Sequence, residues 1–179
     1  MPGGQLCELV EGRIVPMSPG GVELSLVTAN AFRMLDTFAR QGRLGRVLTG
    51  ETGFYTRRDP DTVRGADVVF VSIERYGRRT RALTYLDVAP ELVVEVLSVQ
   101  DTVLDFADKL REYFAVGVTL VWVVDPRARR VYIYRSLTDV RELIETGTLS
   151  GEDVLPGFTA PVTLLFEEVD AGQTSAPSC

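Results

Sequence analysis

The amino-acid sequence predicts an α/β (α+β) fold in which helices flank a central β-sheet and a β-hairpin leads the chain. Three observations predict it. Two segments, Val22 to Gln41 and Thr102 to Ala115, carry helical patterning, and β-branched runs lie between and after them. One of those runs, Val118 to Val124, is almost wholly apolar, as a strand at the buried centre of a sheet would be. With 179 residues, 45% apolar and 25% charged, the chain suits one core. Residues 1–169 are read as a single domain, and 170–179 as a small polar tail expected to be disordered.

In chain order, Leu6 to Val10 and Arg13 to Met17 alternate about Glu11-Gly12, a hairpin in which Gly supplies the positive φ. Ser18-Pro19-Gly20-Gly21 breaks the chain. Apolar residues then recur at Val22, Leu26, Ala29, Phe32 and Leu35, and Gly42 stands where a helix C-cap belongs. Strands are expected at Leu44 to Leu48, Thr52 to Thr56, Ala66 to Ser72 and Glu91 to Leu97. The second helix has Asp101 as its N-cap and Gly117 just past its end. After Val118 to Val124, the turn Asp125-Pro126-Arg127-Ala128 leads to a partner strand, Val131 to Tyr134, and Arg141 to Glu145 adds an edge. Leu155-Pro156-Gly157-Phe158 closes the domain.

Composition removes whole classes of chemistry. Histidine is absent, which excludes Ser-His-Asp and Cys-His nucleophile systems, His-ligated zinc and imidazole switching. Cys7 and Cys179 lie at opposite ends, giving neither a disulfide framework nor a metal pair. No apolar run suffices to span a bilayer and Met1 to Gln5 does not read as a signal peptide, so no membrane role and a cytoplasmic location are expected. The net charge of −6 means that a polyanion must be met by a local basic patch.

Carboxylate chemistry remains. Glu95 shares a strand face with Val93 and Leu97, and Asp67 begins the run Asp67-Val68-Val69-Phe70-Val71. Acids in such company are costly unless compensated, and two on neighbouring strands repel unless a divalent cation joins them. Hard oxygen ligands suit Mg²⁺ or Mn²⁺. Eighteen of the nineteen basic residues are arginine, and the exception is Lys109. From Glu95 to Ser98 is some 10 Å of strand, and from Thr102 to Lys109 some 10 Å of helix, so a helix folding back returns Lys109 to the level of Glu95. There an ammonium can orient a nucleophile for phosphodiester hydrolysis. The plainer alternatives are an Asp105–Lys109 pair on the helix surface, Asp67 bonded to a turn, and Glu95 paired with a buried arginine.

These residues also sit in a recognisable succession. Pro90 to Ser98, then Asp105, Lys109 and Tyr113, then Gly117-Val118 and Trp122 to Pro126 resemble the Uma-two family of restriction-endonuclease-like proteins. So do Glu8 to Arg13, Arg64 to Val68 and Leu155 to Phe158, and the likeness spans nearly the whole chain. The family is similar in fold to the PD-(D/E)xK nucleases, which implies a mixed central sheet flanked by helices. The resemblance implies Asp67 and Glu95 as Mg²⁺ ligands with the Val96 carbonyl as a third, and Lys109 as the auxiliary lysine. The chain departs from the pattern at Leu97, where the general signature has lysine, at Ala66, where members often have proline, and at Leu24, where they often have histidine. Glu51 and Tyr113 are further candidates, with a turn role and a packing role as their alternatives.

Arg75, Arg78 and Arg79, with Arg81 and Tyr76, crowd one loop, Arg57 and Arg58 another, and Arg127, Arg129 and Arg130 a third. Each could meet phosphates of DNA, or be a solvated run paired with the many acids. A homodimer could present a basic cleft on an acidic body. The first functional expectation is a Mg²⁺-dependent endonuclease; the others are a catalytically silent scaffold or regulatory binder of the same fold, and a hydrolase of small phosphodiesters.

Overall fold

The structure is a computed structural model that describes residues 6–99 and 103–169, without the side chains of 103–105. The Asp101 cap, the side chain of Asp105, the 170–179 tail and Cys179 lie outside the described residues.

The leading hairpin pairs β1 (Cys7–Val10) with β2 (Arg13–Pro16) through a tight turn in which Glu11 and Gly12 both take positive φ, +51° and +74°. Helix α1 (Val22–Gln41) matches its predicted span. Its buried residues, however, are Val27, Asn30, Ala31, Leu35 and Ala39, while Val22 and Ala29 are exposed. Small Ala31 and Ala39 let the helix lie close on the sheet, a consideration that hydrophobicity alone does not register. Gly42 ends the helix in a right-handed conformation, φ −80°, and Arg43 takes the left-handed position at +53°.

Two predicted strands prove to be one. β3 (Gly45–Arg57) runs through a register shift between Thr49 and Thr52, with Gly50 and Glu51 both at positive φ. This is a β-bulge, which bends a strand without ending it. β4 (Thr62–Ser72) starts four residues before its expected beginning. The arginine-rich loop after it contains a short helix, α2 (Ile73–Arg78), capped by the Ser72 side chain accepting from Arg75 N at 3.2 Å.

β5 (Leu92–Val96), α3 (Val103–Val116) and β6 (Leu120–Asp125) form a parallel strand–helix–strand unit, with Gly117 at φ +105° ending the helix. β7 (Arg130–Tyr134) and the edge strand β8 (Val140–Ile144) continue the sheet antiparallel. The order is β2-β1-β4-β5-β6-β7-β8, with β3 also paired to β4. β9 (Thr148–Ser150), β10 (Thr159–Pro161) and a 3₁₀ turn (Val162–Phe166) follow as a small unpredicted unit. Leu155 and Phe158 of the expected closing segment are buried beneath it.

One core joins Val27, Ala31 and Leu35 of α1 to Val68, Phe70, Val94 and Trp122 of the sheet. The opposite core joins Leu110 and Tyr113 of α3 to Phe54, Val69, Val93 and Val121. The mixed sheet flanked by helices is therefore observed. Among the described residues no helix is long and apolar enough to cross a membrane.

Candidate active site

The site is built on a discontinuity in β4. Val63 pairs with Tyr55 of β3 and with Leu9 of β1, while Val68 to Phe70 pair with β3 and with β5. Thus β3 follows one edge of β4, and the other edge changes partner from β1 to β5. Residues 64–67 face the gap, where backbone groups still need partners. Two acids supply them. Glu8 Oε1 accepts from Gly65 N at 3.1 Å, and Asp67 Oδ2 accepts from Val96 N at 2.7 Å. Thr49 Oγ1 donates to the Asp67 carbonyl at 2.8 Å and fixes the backbone there.

Continuing the β4–β5 register by one residue sets Asp67 opposite Glu95. Glu95 shares the α3 side of the sheet with Val93, and its Oε1 accepts a hydrogen bond from the hydroxyl of fully buried Tyr113. The Phe54 ring, 5.2 Å from that of Tyr113, holds it in place. Lys109, one turn earlier on α3, has its Nζ 4.0 Å from Glu95 Oε2 and 3.2 Å from Glu8 Oε1. The structure therefore brings together Asp67, Glu95, Lys109 and Tyr113.

Burial is the chief force on these charges. It raises the Glu95 carboxyl to about 8, helped by the charges of Asp67 and Glu51 and opposed by Lys109 and the Tyr113 hydroxyl. Burial alone would depress Lys109, but Glu95 and Glu8 outweigh it and hold the ammonium above its ordinary value. Tyr113 is likewise pushed well up, by burial and then by Glu95. The lysine is therefore charged at neutral pH, while burial favours the protonated form of Glu95.

Glu51 is a bulge residue in mid-strand rather than part of a turn between strands. Its Oε2 lies 2.9 Å from the point where a Cβ on Gly65 would stand, so only glycine there leaves the carboxylate its place. Gly65 consequently lies between Glu8 and Glu51.

A polar girder behind the site was not singled out from sequence. Arg64 donates to Glu8 at 2.8 Å and holds Glu112 of α3 in a two-pronged pair at 2.7 Å, and Thr56 donates to the same carboxylate at 2.9 Å. Burial works against the Arg64 cation, but its two acids hold it firmly charged. Glu8 and Arg64 belonged to stretches of resemblance, yet only their contacts show that they clamp β1, β4 and α3 together. The available signal was an acid at an alternating position otherwise apolar, Leu6, Glu8 and Val10.

The arginine runs lie elsewhere. Arg75 pairs with Glu91 at 3.1 Å and donates to the Ala89 and Gly117 carbonyls, at the opposite end of β5 from Glu95. Arg78 pairs with Glu74, and Arg79 lies 3.7 Å over the Tyr76 ring. Arg57 meets Glu11 at 2.8 Å, and Arg129 and Arg130 meet Glu145 and Glu142.

The donor set fits a hard dication. It offers two carboxylates from neighbouring strands and backbone carbonyls beside them, in a buried acid pair that a cation would relieve. Among the described residues no three Asp, Glu or Cys side chains form a ready metal cage. Mg²⁺ needs only one or two carboxylates when waters complete its shell.

No curated protein matches the chain. The fold is similar to the crystal structure of a protein from Anabaena variabilis ATCC 29413 described as a putative nuclease belonging to DUF820. That likeness has a TM-score of 0.79 and covers 93% of each chain at 16% identity. Residues 1–163 match the model of the Uma2 family, described as "Putative restriction endonuclease". With nearly its whole length matched in this way, the chain belongs to the Uma2 family.

Proposed function

We propose that the protein is a divalent-metal-dependent endonuclease that hydrolyses phosphodiester bonds of DNA beside Asp67 and Glu95. The observation that carries this reading is the approach of the chain's single lysine to a buried acid pair, with Nζ 4.0 Å from Glu95 Oε2. Membership of a restriction-endonuclease family supports it.

In this reading Asp67 and Glu95 hold Mg²⁺ or Mn²⁺, with the Val96 carbonyl as a third ligand. When bound, the cation supplies Lewis acidity toward a phosphoryl oxygen and makes water more acidic. The chain's own residues do the positioning. Val96 N fixes one Asp67 oxygen, and the Tyr113 hydroxyl fixes one Glu95 oxygen. Lys109, steadied by Glu8, orients the attacking water and stabilises charge developing on the phosphate, where low local polarity strengthens the effect. Glu51 adds a third acid to the same neighbourhood. Arg75, Arg78 and Arg79 are candidates for phosphate contacts, although Arg75 is engaged by Glu91, Arg78 by Glu74 and Arg79 by the Tyr76 carbonyl at 2.9 Å. A homodimer would set two such sites along one duplex.

A second reading, a nuclease-fold scaffold without turnover, is favoured by the closer approach of Lys109 to Glu8, 3.2 Å, than to Glu95. One experiment separates the two. Single-stranded, duplex and branched DNA are incubated with the protein and Mn²⁺ or Mg²⁺, alongside Asp67→Asn and Lys109→Ala. Metal-dependent cleavage lost in both variants supports the endonuclease; no cleavage of any substrate leaves the scaffold.

A further inference from the structure

A cavity of about 360 Å³ opens against β3, with walls that include Leu48, Tyr76, Arg79, Leu83, Tyr85 and Leu86. It exists because the segment before β5 is stitched to the strand: Leu86 N donates to Gly53 O at 3.0 Å, and Tyr55 N to Leu86 O at 2.9 Å. Tyr85 lies directly on Gly53, where a Cβ would stand 2.5 Å from its Cδ1, and nearly half of the residue is exposed at 47%.

Gly53 pairs with Gly65, whose missing Cβ makes room for the Glu51 carboxylate. Directly paired residues present the same face, roughly 5 Å apart. The Tyr85 ring and the Glu51 carboxylate thus each occupy the space left by one member of a directly paired glycine couple. Arg79 reaches the cavity while lying 3.7 Å over the Tyr76 ring, and Arg46 approaches the same ring at 5.9 Å. Aromatic and leucine walls with a guanidinium beside them are the chemistry that holds a nucleobase and its phosphate.

We propose that this cavity receives one unpaired nucleobase, stacked on Tyr85, with Arg79 meeting the adjoining phosphate. The inference rests on the nuclease reading above and gives its substrate a form: a single strand, or a duplex with an unpaired base. A closed duplex keeps its bases stacked and offers the cavity nothing without the cost of extruding one.

The test is fluorescence anisotropy of the full chain with a labelled ten-nucleotide thymidine strand, and with a labelled blunt duplex, in EDTA. Base–aromatic stacking predicts that Tyr85→Ala weakens single-strand binding about tenfold, that Tyr85→Phe retains it, and that duplex binding is unmoved. Arg141→Ala, on the far edge strand, serves as the unaffected control. Should the alanine variant fold poorly, Tyr85→Trp keeps a stacking ring, and its emission should be quenched by the thymidine strand. Unchanged single-strand affinity in Tyr85→Ala, equal losses on strand and duplex, or an unquenched tryptophan would overturn the proposal. Cleavage is read separately with Mn²⁺. Cleavage with no Tyr85 dependence of binding defeats this inference alone, and Tyr85-dependent binding without cleavage defeats the nuclease reading alone.

Discussion

Glu8 and Lys109 meet at 3.2 Å, which makes the leading hairpin part of the same structure as the α3 ammonium. The same Glu8 oxygen accepts from Gly65 N, and the other pairs with Arg64, so one carboxylate ties together β1, β4 and α3.

Removing that carboxylate should therefore be costly. Glu8→Ala would leave Arg64 without one of its two acids and Lys109 without its nearer one, and breaking a buried pair from one side costs about 3–5 kcal/mol. Urea denaturation should show a loss of that order. Glu11→Ala, which breaks an exposed pair with Arg57, should lose less than about 1 kcal/mol.

Glu95 predicts an unusual pH dependence for the metal-free protein. Its carboxyl titrates near the ordinary 4.5 when unfolded and at about 8 when folded. Between those values unfolding releases a proton, so this group makes stability fall as pH rises from about 4.5 to 8. The loss should reach several kcal/mol, at about 1.4 kcal/mol per pH unit. Chemical denaturation across that range in EDTA should show the decline, and Glu95→Gln should abolish it.

Tyr113→Phe keeps the ring against Phe54 and removes the donor to Glu95 Oε1. That hydrogen bond favours the charged carboxylate, so its loss should raise the Glu95 carboxyl further, visible in a carboxyl-detected NMR titration. Leaving a buried acceptor without its donor should also cost about 1–3 kcal/mol. A downward shift would mean that the hydroxyl does not act on Glu95.

A divalent cation should stabilise the protein if Asp67 and Glu95 hold it. At a hundred times its Kd a ligand adds about 2.7 kcal/mol, and for a chain of this size that is roughly 5–10 °C in Tm. Differential scanning fluorimetry with millimolar Mn²⁺ should show the rise in the wild type and none in Asp67→Asn. Equal rises in both would locate the ion elsewhere.

The order of elements was legible because period and punctuation are local properties. The α1 span, the Glu11-Gly12 turn and the apolar run of β6 all follow from residues that are neighbours in the chain. The return of α3 over β5 was legible too, because strand and helix rise fix how far Lys109 must travel. Where reading failed, a neighbour outside the segment decided. Gly50-Glu51 reads as a break between strands, yet pairing along β4 carries β3 through it as a bulge. The arginine-rich segment from Arg75 reads as loop, yet the Ser72 cap and the tie to Glu91 make it helix as far as Arg78.

By itself the sequence determined the available chemistry: carboxylates and a single ammonium, no imidazole, and a sheet with helices to cover it. Only the tertiary structure decided that Glu8 and Arg64 belong with Lys109, and that Tyr113 donates to Glu95. It alone also set Tyr85 against Gly53 and Glu51 against Gly65. The physical reason is that composition and periodicity constrain each segment separately. The site instead arises where β4 exchanges β1 for β5 and leaves polar groups that distant side chains must satisfy.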